Sequence, residues 1–123
     1  MGLFSIGKSN NKKLDWIEIN SIEELEQAIE NSADKPAIFF KHSTRCSISS
    51  MALNRFENDW KQGADGVLYF IDLIKNREVS NALADKANVY HQSPQIILLK
   101  DKKVLFDASH SAISANEIIE KLN

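Results

Sequence analysis

The chain predicts an α/β fold, with a central mixed sheet covered by helices on both faces, and three observations carry that prediction. Short apolar runs suited to strands alternate with segments of helical periodicity. Two of these runs, Ala37-Ile38-Phe39-Phe40 and Val67-Leu68-Tyr69-Phe70-Ile71, are apolar at nearly every position, as in strands buried on both sides. The last two runs are separated by Asp101-Lys102 alone, which adds an antiparallel hairpin to an otherwise parallel sheet.

In chain order, residues 1–13 are polar and become basic toward Lys12 and Lys13. They read as a flexible N-terminal arm, and 14–123 as a single domain. Trp16-Ile17-Glu18-Ile19 has strand propensity. Ser21-Ile22-Glu23-Glu24 has the spacing of a capping box, and Ile22, Leu25, Ala28 and Ile29 follow on one helical face. Pro36 precedes the strand from Ala37. After Cys46, the residues Ile48, Ala52, Phe56 and Trp60 recur at steps of four, with Leu53 beside them, and predict a second helix. Gly63 and Gly66 lead into the strand from Val67, and Asp72 starts the next turn. Glu78–Ala87 carries Val79, Leu83 and Ala84 as the apolar face of a third helix. Ser93-Pro94 introduces Gln95–Lys100, which pairs with Lys103–Ala108. Ser114-Ala115-Asn116-Glu117 is a second capping box, ahead of a helix whose buried face is Ile118, Ile119 and Leu122.

Composition narrows the function. The 123 residues carry 15 basic and 17 acidic side chains, a formal net charge of −2, which gives no reason to expect nucleic acid as a partner. No apolar run approaches the roughly 20 residues of a membrane span, so no membrane partner is expected. Met1–Lys8 lacks the apolar core of a signal peptide. Ile6 stands where the myristoylation signal begun by Met1-Gly2 wants Ser or Thr. A single thiol without an export signal fits a reducing compartment, so a cytoplasmic location is expected.

That thiol, Cys46, is the sole cysteine, so its disulfide partner has to come from another molecule. It stands where a strand runs into a helix. The unsatisfied N–H groups and dipole of a helix N-terminus stabilise an anion there by roughly 0.3–1 kcal/mol, which favours the nucleophilic thiolate. Lys41, His42 and Arg45 add positive charge nearby, and Ser47 and Ser49 offer hydroxyl donors. Position alone leaves a second reading open, in which Cys46 is a small buried hydrophobe. The polar neighbours Ser43, Thr44, Arg45, Ser47 and Ser49 argue against it. So does the placement of the turn at the carboxyl end of a central strand, where open α/β sheets hold their ligands. Pro94 by itself reads as a trans proline opening a strand. His91 and His110 are isolated, with no metal-ligand spacing, and no metal site is expected.

The order β-α-β-α-β-α-β-β-α, a cysteine at the start of the second helix and a proline ahead of the fourth strand resemble the thioredoxin fold, from about Trp16 to the C-terminus. More narrowly, Thr44-Arg45-Cys46-Ser47-Ile48-Ser49, with Met51 just beyond, is similar to the monothiol bacilliredoxins, the YtxJ-like proteins. The resemblance implies a thioredoxin-like thiol-disulfide oxidoreductase, with Cys46 as the catalytic residue. It would remove bacillithiol from mixed disulfides on client proteins and be left carrying the bacillithiol itself. It also implies that Pro94 is cis and faces Cys46, with the backbone of Ser93 bonding the incoming chain as in strand addition. Ser49 occupies the place of the second cysteine of a C-x-x-C motif, so no internal thiol resolves the mixed disulfide. Arg45 and Lys41 are the candidates to hold the carboxylates of bacillithiol, and Ser49 is grouped with them as a substrate-site residue. No tightly bound cofactor is implied. Bacillithiol serves as co-substrate, and a separate reductase or low-molecular-weight thiol recycles a monomeric enzyme. Two other functions compete. Monothiol glutaredoxin-like proteins bridge iron-sulfur clusters, but they carry Gly-Phe where Ser47-Ile48 stands. A non-catalytic thioredoxin-fold adaptor needs no reactive thiol.

Overall fold

The computed structural model describes residues 14–123, so the predicted N-terminal arm lies outside the described residues. The elements are β1 (Ile17–Glu18), α1 (Ile22–Asn31), β2 (Ala37–His42), α2 (Ser47–Asp59), β3 (Val67–Asp72), α3 (Arg77–Ala87), β4 (Gln95–Lys100), β5 (Lys103–Ser109) and α4 (Ala115–Leu122). A 3-10 turn at His110–Ala112 separates β5 from α4. The strands form one five-stranded sheet in the order β1-β3-β2-β4-β5. β1, β3 and β2 run parallel, while β4 is antiparallel to both β2 and β5.

Strand alternation divides the core into two layers. Ile38, Phe40, Leu68, Phe70, Ile96 and Leu98 face α2 and α4, where they meet Ala52, Leu53, Phe56, Ala115 and Ile118. Ala37, Phe39, Tyr69, Ile71, Ile97 and Leu99 face α1 and α3, against Leu25, Ala28, Val79 and Leu83. Trp16 seals the rim of the first layer. Its ring lies 5.7–5.9 Å from those of Phe40, Phe56 and Phe70, and its Nε1–H donates to Glu57 at 2.7 Å.

The helix starts follow their caps. Ser21 Oγ accepts the N–H of Glu24 at 3.1 Å, and Ser114 Oγ accepts that of Glu117 at 3.2 Å. The carboxylate of Glu24 accepts the Asn20 N–H rather than that of Ser21, a variant of the expected box. Between β4 and β5, Asp101 and Lys102 both have positive φ, of 53° and 66°, the pairing that matches a two-residue hairpin to strand twist.

α2 departs from its predicted face. Ser49, Ala52, Leu53 and Phe56 are buried, whereas Ile48 is 57% exposed. At 3.6 residues per turn, a step of four overshoots by about 40°. Ile48 therefore sits about a quarter turn from the buried face that Ser49, Ala52, Leu53 and Phe56 define.

Candidate active site

β2 runs two residues beyond its apolar stretch, through Lys41 and His42, and both are buried. The chain then turns at Ser43-Thr44-Arg45 and enters α2, with Cys46 as the N-cap residue. Its N–H donates to Ser43 O, and its carbonyl accepts the N–H of Ser50, each at 3.1 Å. The side chain makes no cap hydrogen bond, and the residue is partly exposed. The thiol is thus held at the helix start by its backbone, while its sulfur is left open.

Beneath it lies Ser49, fully buried. Its Oγ accepts the Ser43 N–H at 3.0 Å and shares a 2.7 Å hydrogen bond with Nδ1 of His42. His42 packs its ring against Phe70, 5.5 Å away, and Phe40, 6.3 Å away. Ser49 therefore braces the β2–α2 turn, and the geometry does not offer it to a substrate as the sequence reading supposed. His42 belongs to the same buried brace.

Lys41 needs a second correction. Alternation along β2 puts it with Ala37 and Phe39 on the α1/α3 face, opposite the face that α2 covers. It is fully buried, and its Nζ lies 3.2 Å from Nδ1 of His91. Burial lowers its pKa from 10.5 to about 8. It does not stand beside the sulfur as a cation. Arg45, next to Cys46, is exposed and joins no ion pair among the described residues.

The β2–β4 register pairs Lys41 with Gln95. Ser93 and Pro94 consequently sit beside the end of β2, at the end of the sheet where Cys46 lies. The Ser93–Pro94 bond is cis. The Pro94 carbonyl accepts the N–H of His110 at 3.1 Å, and Arg55 of α2 donates to His110 O at 3.1 Å and to Ile113 O at 3.3 Å. The Ser93 hydroxyl oxygen is buried with no hydrogen-bond partner among the described residues. His91 and His110, isolated in sequence, are thus both drawn into this end of the fold. Among the described residues, no three of His, Cys, Asp and Glu gather as a metal site, and no helix is long and apolar enough to cross a membrane.

The sequence model of the monothiol bacilliredoxin BrxC family matches residues 17–118, nearly the whole described domain. The chain belongs to that family. Solved structures agree on the fold of this bacilliredoxin. A protein assigned to the oxidoreductases, with a thioredoxin fold, is 29% identical over 87% of this chain and 93% of its own, with a TM-score of 0.75. The reduced thioredoxin pre-protein of Schistosoma mansoni is 21% identical over 89% and 100%, with a TM-score of 0.69. The thioredoxin of Trypanosoma brucei brucei is 17% identical over 88% of each chain, with a TM-score of 0.67. The fold is that of thioredoxin, and the family is one of thiol redox proteins.

Proposed function

We propose that this bacilliredoxin removes bacillithiol from S-bacillithiolated cytoplasmic proteins. The observation that carries the reading is the pairing of an open Cys46 sulfur at the α2 N-cap with a buried, hydrogen-bonded serine at position 49. Membership of the monothiol bacilliredoxin family supports bacillithiol as the small thiol.

The Cys46 thiolate attacks the bacillithiol sulfur of the client mixed disulfide. The old S–S bond breaks, the client thiolate leaves with the electron pair and takes a proton from solvent, and Cys46 is joined to bacillithiol. A second thiol, free or on a separate reductase, then attacks that adduct and releases bacillithiol. Ser93 and Pro94 supply the edge along which the client chain lies. Exposed Arg45 supplies positive charge next to the reacting sulfur for the carboxylates of bacillithiol.

Intact mass spectrometry after incubation with a bacillithiolated protein tests the reaction. An adduct of bacillithiol mass on Cys46, matched by release of the client thiol, is expected. Cys46→Ser should release no client thiol while keeping its far-UV circular dichroism. Full activity in that variant would end the proposal.

A further inference from the structure

Two lines of hydrogen bonds reach the segment around cis-Pro94, and the second runs to the helix that carries Cys46. The first is local. Gln95, buried at the start of β4, donates from Nε2 to Tyr90 O at 2.9 Å and accepts the Gln92 N–H on Oε1 at 3.3 Å. It folds the stretch before Ser93 back onto its own strand. Pro94 lies one residue beyond the last ladder pairs of β4, which join Gln95 to Lys41 and to Ser109. Its carbonyl accepts the N–H of His110, where the chain leaves β5.

His110 is held through both halves of its backbone. Its φ of 54° is a left-handed conformation, which surrounding structure has to enforce in a residue with a side chain. Its carbonyl accepts the Ile113 N–H at 3.2 Å and Nη2 of Arg55 at 3.1 Å. Arg55 also donates to Ile113 O, from Nη2 at 3.3 Å and from Nε at 3.4 Å. Among the described residues its hydrogen bonds all go to main-chain carbonyls, and it joins no ion pair. Ile113 directly precedes Ser114, the N-cap of α4, and a helix N-terminus disfavours a cation. The fit of the guanidinium fork to two carbonyls therefore holds Arg55 in place against the dipole. Arg55 lies on α2 about 14 Å along the helix from Cys46, and helical side chains lean toward the N-terminus, here toward the thiol.

We infer that Arg55 is a positioning residue for thiol exchange. Through His110 it fixes Pro94, and with it the edge that receives the client chain, relative to the helix that presents Cys46. This rests on the reading of Cys46 as the nucleophile of bacillithiol exchange with a client laid along Ser93 and Pro94. Misplacing bound groups by about 1 Å costs up to roughly 100-fold in rate, so a tie between the two halves of the site bears on turnover.

The test uses Arg55→Met, which keeps the apolar stem and removes the donors, and Arg55→Lys, which still donates to a carbonyl. The rate constant for bacillithiol transfer from a bacillithiolated client to Cys46 should fall about tenfold in Arg55→Met and about threefold in Arg55→Lys. Alkylation of Cys46 by iodoacetamide should keep its wild-type rate, because the backbone of α2 holds that residue. Amide exchange followed by NMR should quicken about tenfold at His110 in Arg55→Met and stay unchanged at Ser50. A structural role alone would lower resistance to denaturant and leave transfer by the folded protein at the wild-type rate, and that result overturns the proposal. A fall in transfer matched by an equal fall in alkylation overturns it as well, as does unchanged exchange at His110. Should Arg55→Met not fold, Arg55→Lys decides between the same outcomes. If the wild-type chain takes no bacillithiol onto Cys46, the reaction fails by itself. Quickened exchange at His110 then keeps the tie between Arg55 and Pro94, and unchanged exchange ends it.

Discussion

Exchanging Lys41 for Met is expected to abolish an alkaline gain in stability that the wild-type protein shows. Met keeps an unbranched apolar stem in the same space and removes the charge. In the folded protein burial lowers the Lys41 pKa from 10.5 to about 8, whereas the unfolded chain keeps the ordinary value. Below pH 8 both states carry the charge, and the native state bears the full cost of desolvating it. Between pH 8 and 10.5 the unfolded state binds a proton that the native state has lost, so stability rises with pH in that window. At about 1.4 kcal/mol per pH unit the whole gap is worth about 3 kcal/mol, of which roughly 2–3 falls between pH 7 and pH 10. Guanidinium unfolding of both proteins at several pH values in that range gives the difference directly, and the titration of groups remote from Lys41 cancels. The His91 pKa also responds to loss of Lys41, but it lies below its ordinary value of 6.5 and outside the window. A stability difference that stays constant from pH 7 to pH 10 would refute the assignment of Lys41 as a desolvated ammonium.

Two further outcomes follow from the site and the core. Ser49→Cys places a second thiol three residues after Cys46 in the first turn of α2, so mass spectrometry should show an internal disulfide and loss of the lasting bacillithiol adduct. Phe56→Ala removes a fully buried ring that contacts Trp16, Phe40 and Trp60, and should cost about 3–5 kcal/mol in denaturant unfolding.

Most of the fold was readable because local signals and burial agree. The serine caps at 21 and 114 hold as read, and the all-apolar strands are the central ones. The site was readable in part. Cys46 at a helix start followed from the break between the strand and helix patterns. What that break concealed is that β2 carries on through Lys41 and His42, since polar residues ending an apolar run look like a loop. Their period-2 placement could have separated them, Lys41 with Phe39 and His42 with Phe40. Which face α2 would cover is a tertiary fact, and no local pattern states it. The contact of Lys41 with His91 spans 50 residues and depends on β4 lying antiparallel beside β2. No motif spacing announces such a pair.

The brace around Ser49 bears on why one thiol suffices. A serine hydroxyl has one proton to donate and two lone pairs. The Ser43 N–H takes one lone pair. If Nδ1 of His42 is unprotonated, the hydroxyl proton points to it and none is left for Cys46. If Nδ1 carries a proton, it fills the second lone pair, and the Ser49 proton is left free of the ring. Either way the oxygen remains anchored to the turn, and the Cys46 sulfur, which caps no N–H, stays available to an outside disulfide. The same position holds the turn in shape and, because it is oxygen and not sulfur, leaves the completion of the exchange to a second molecule.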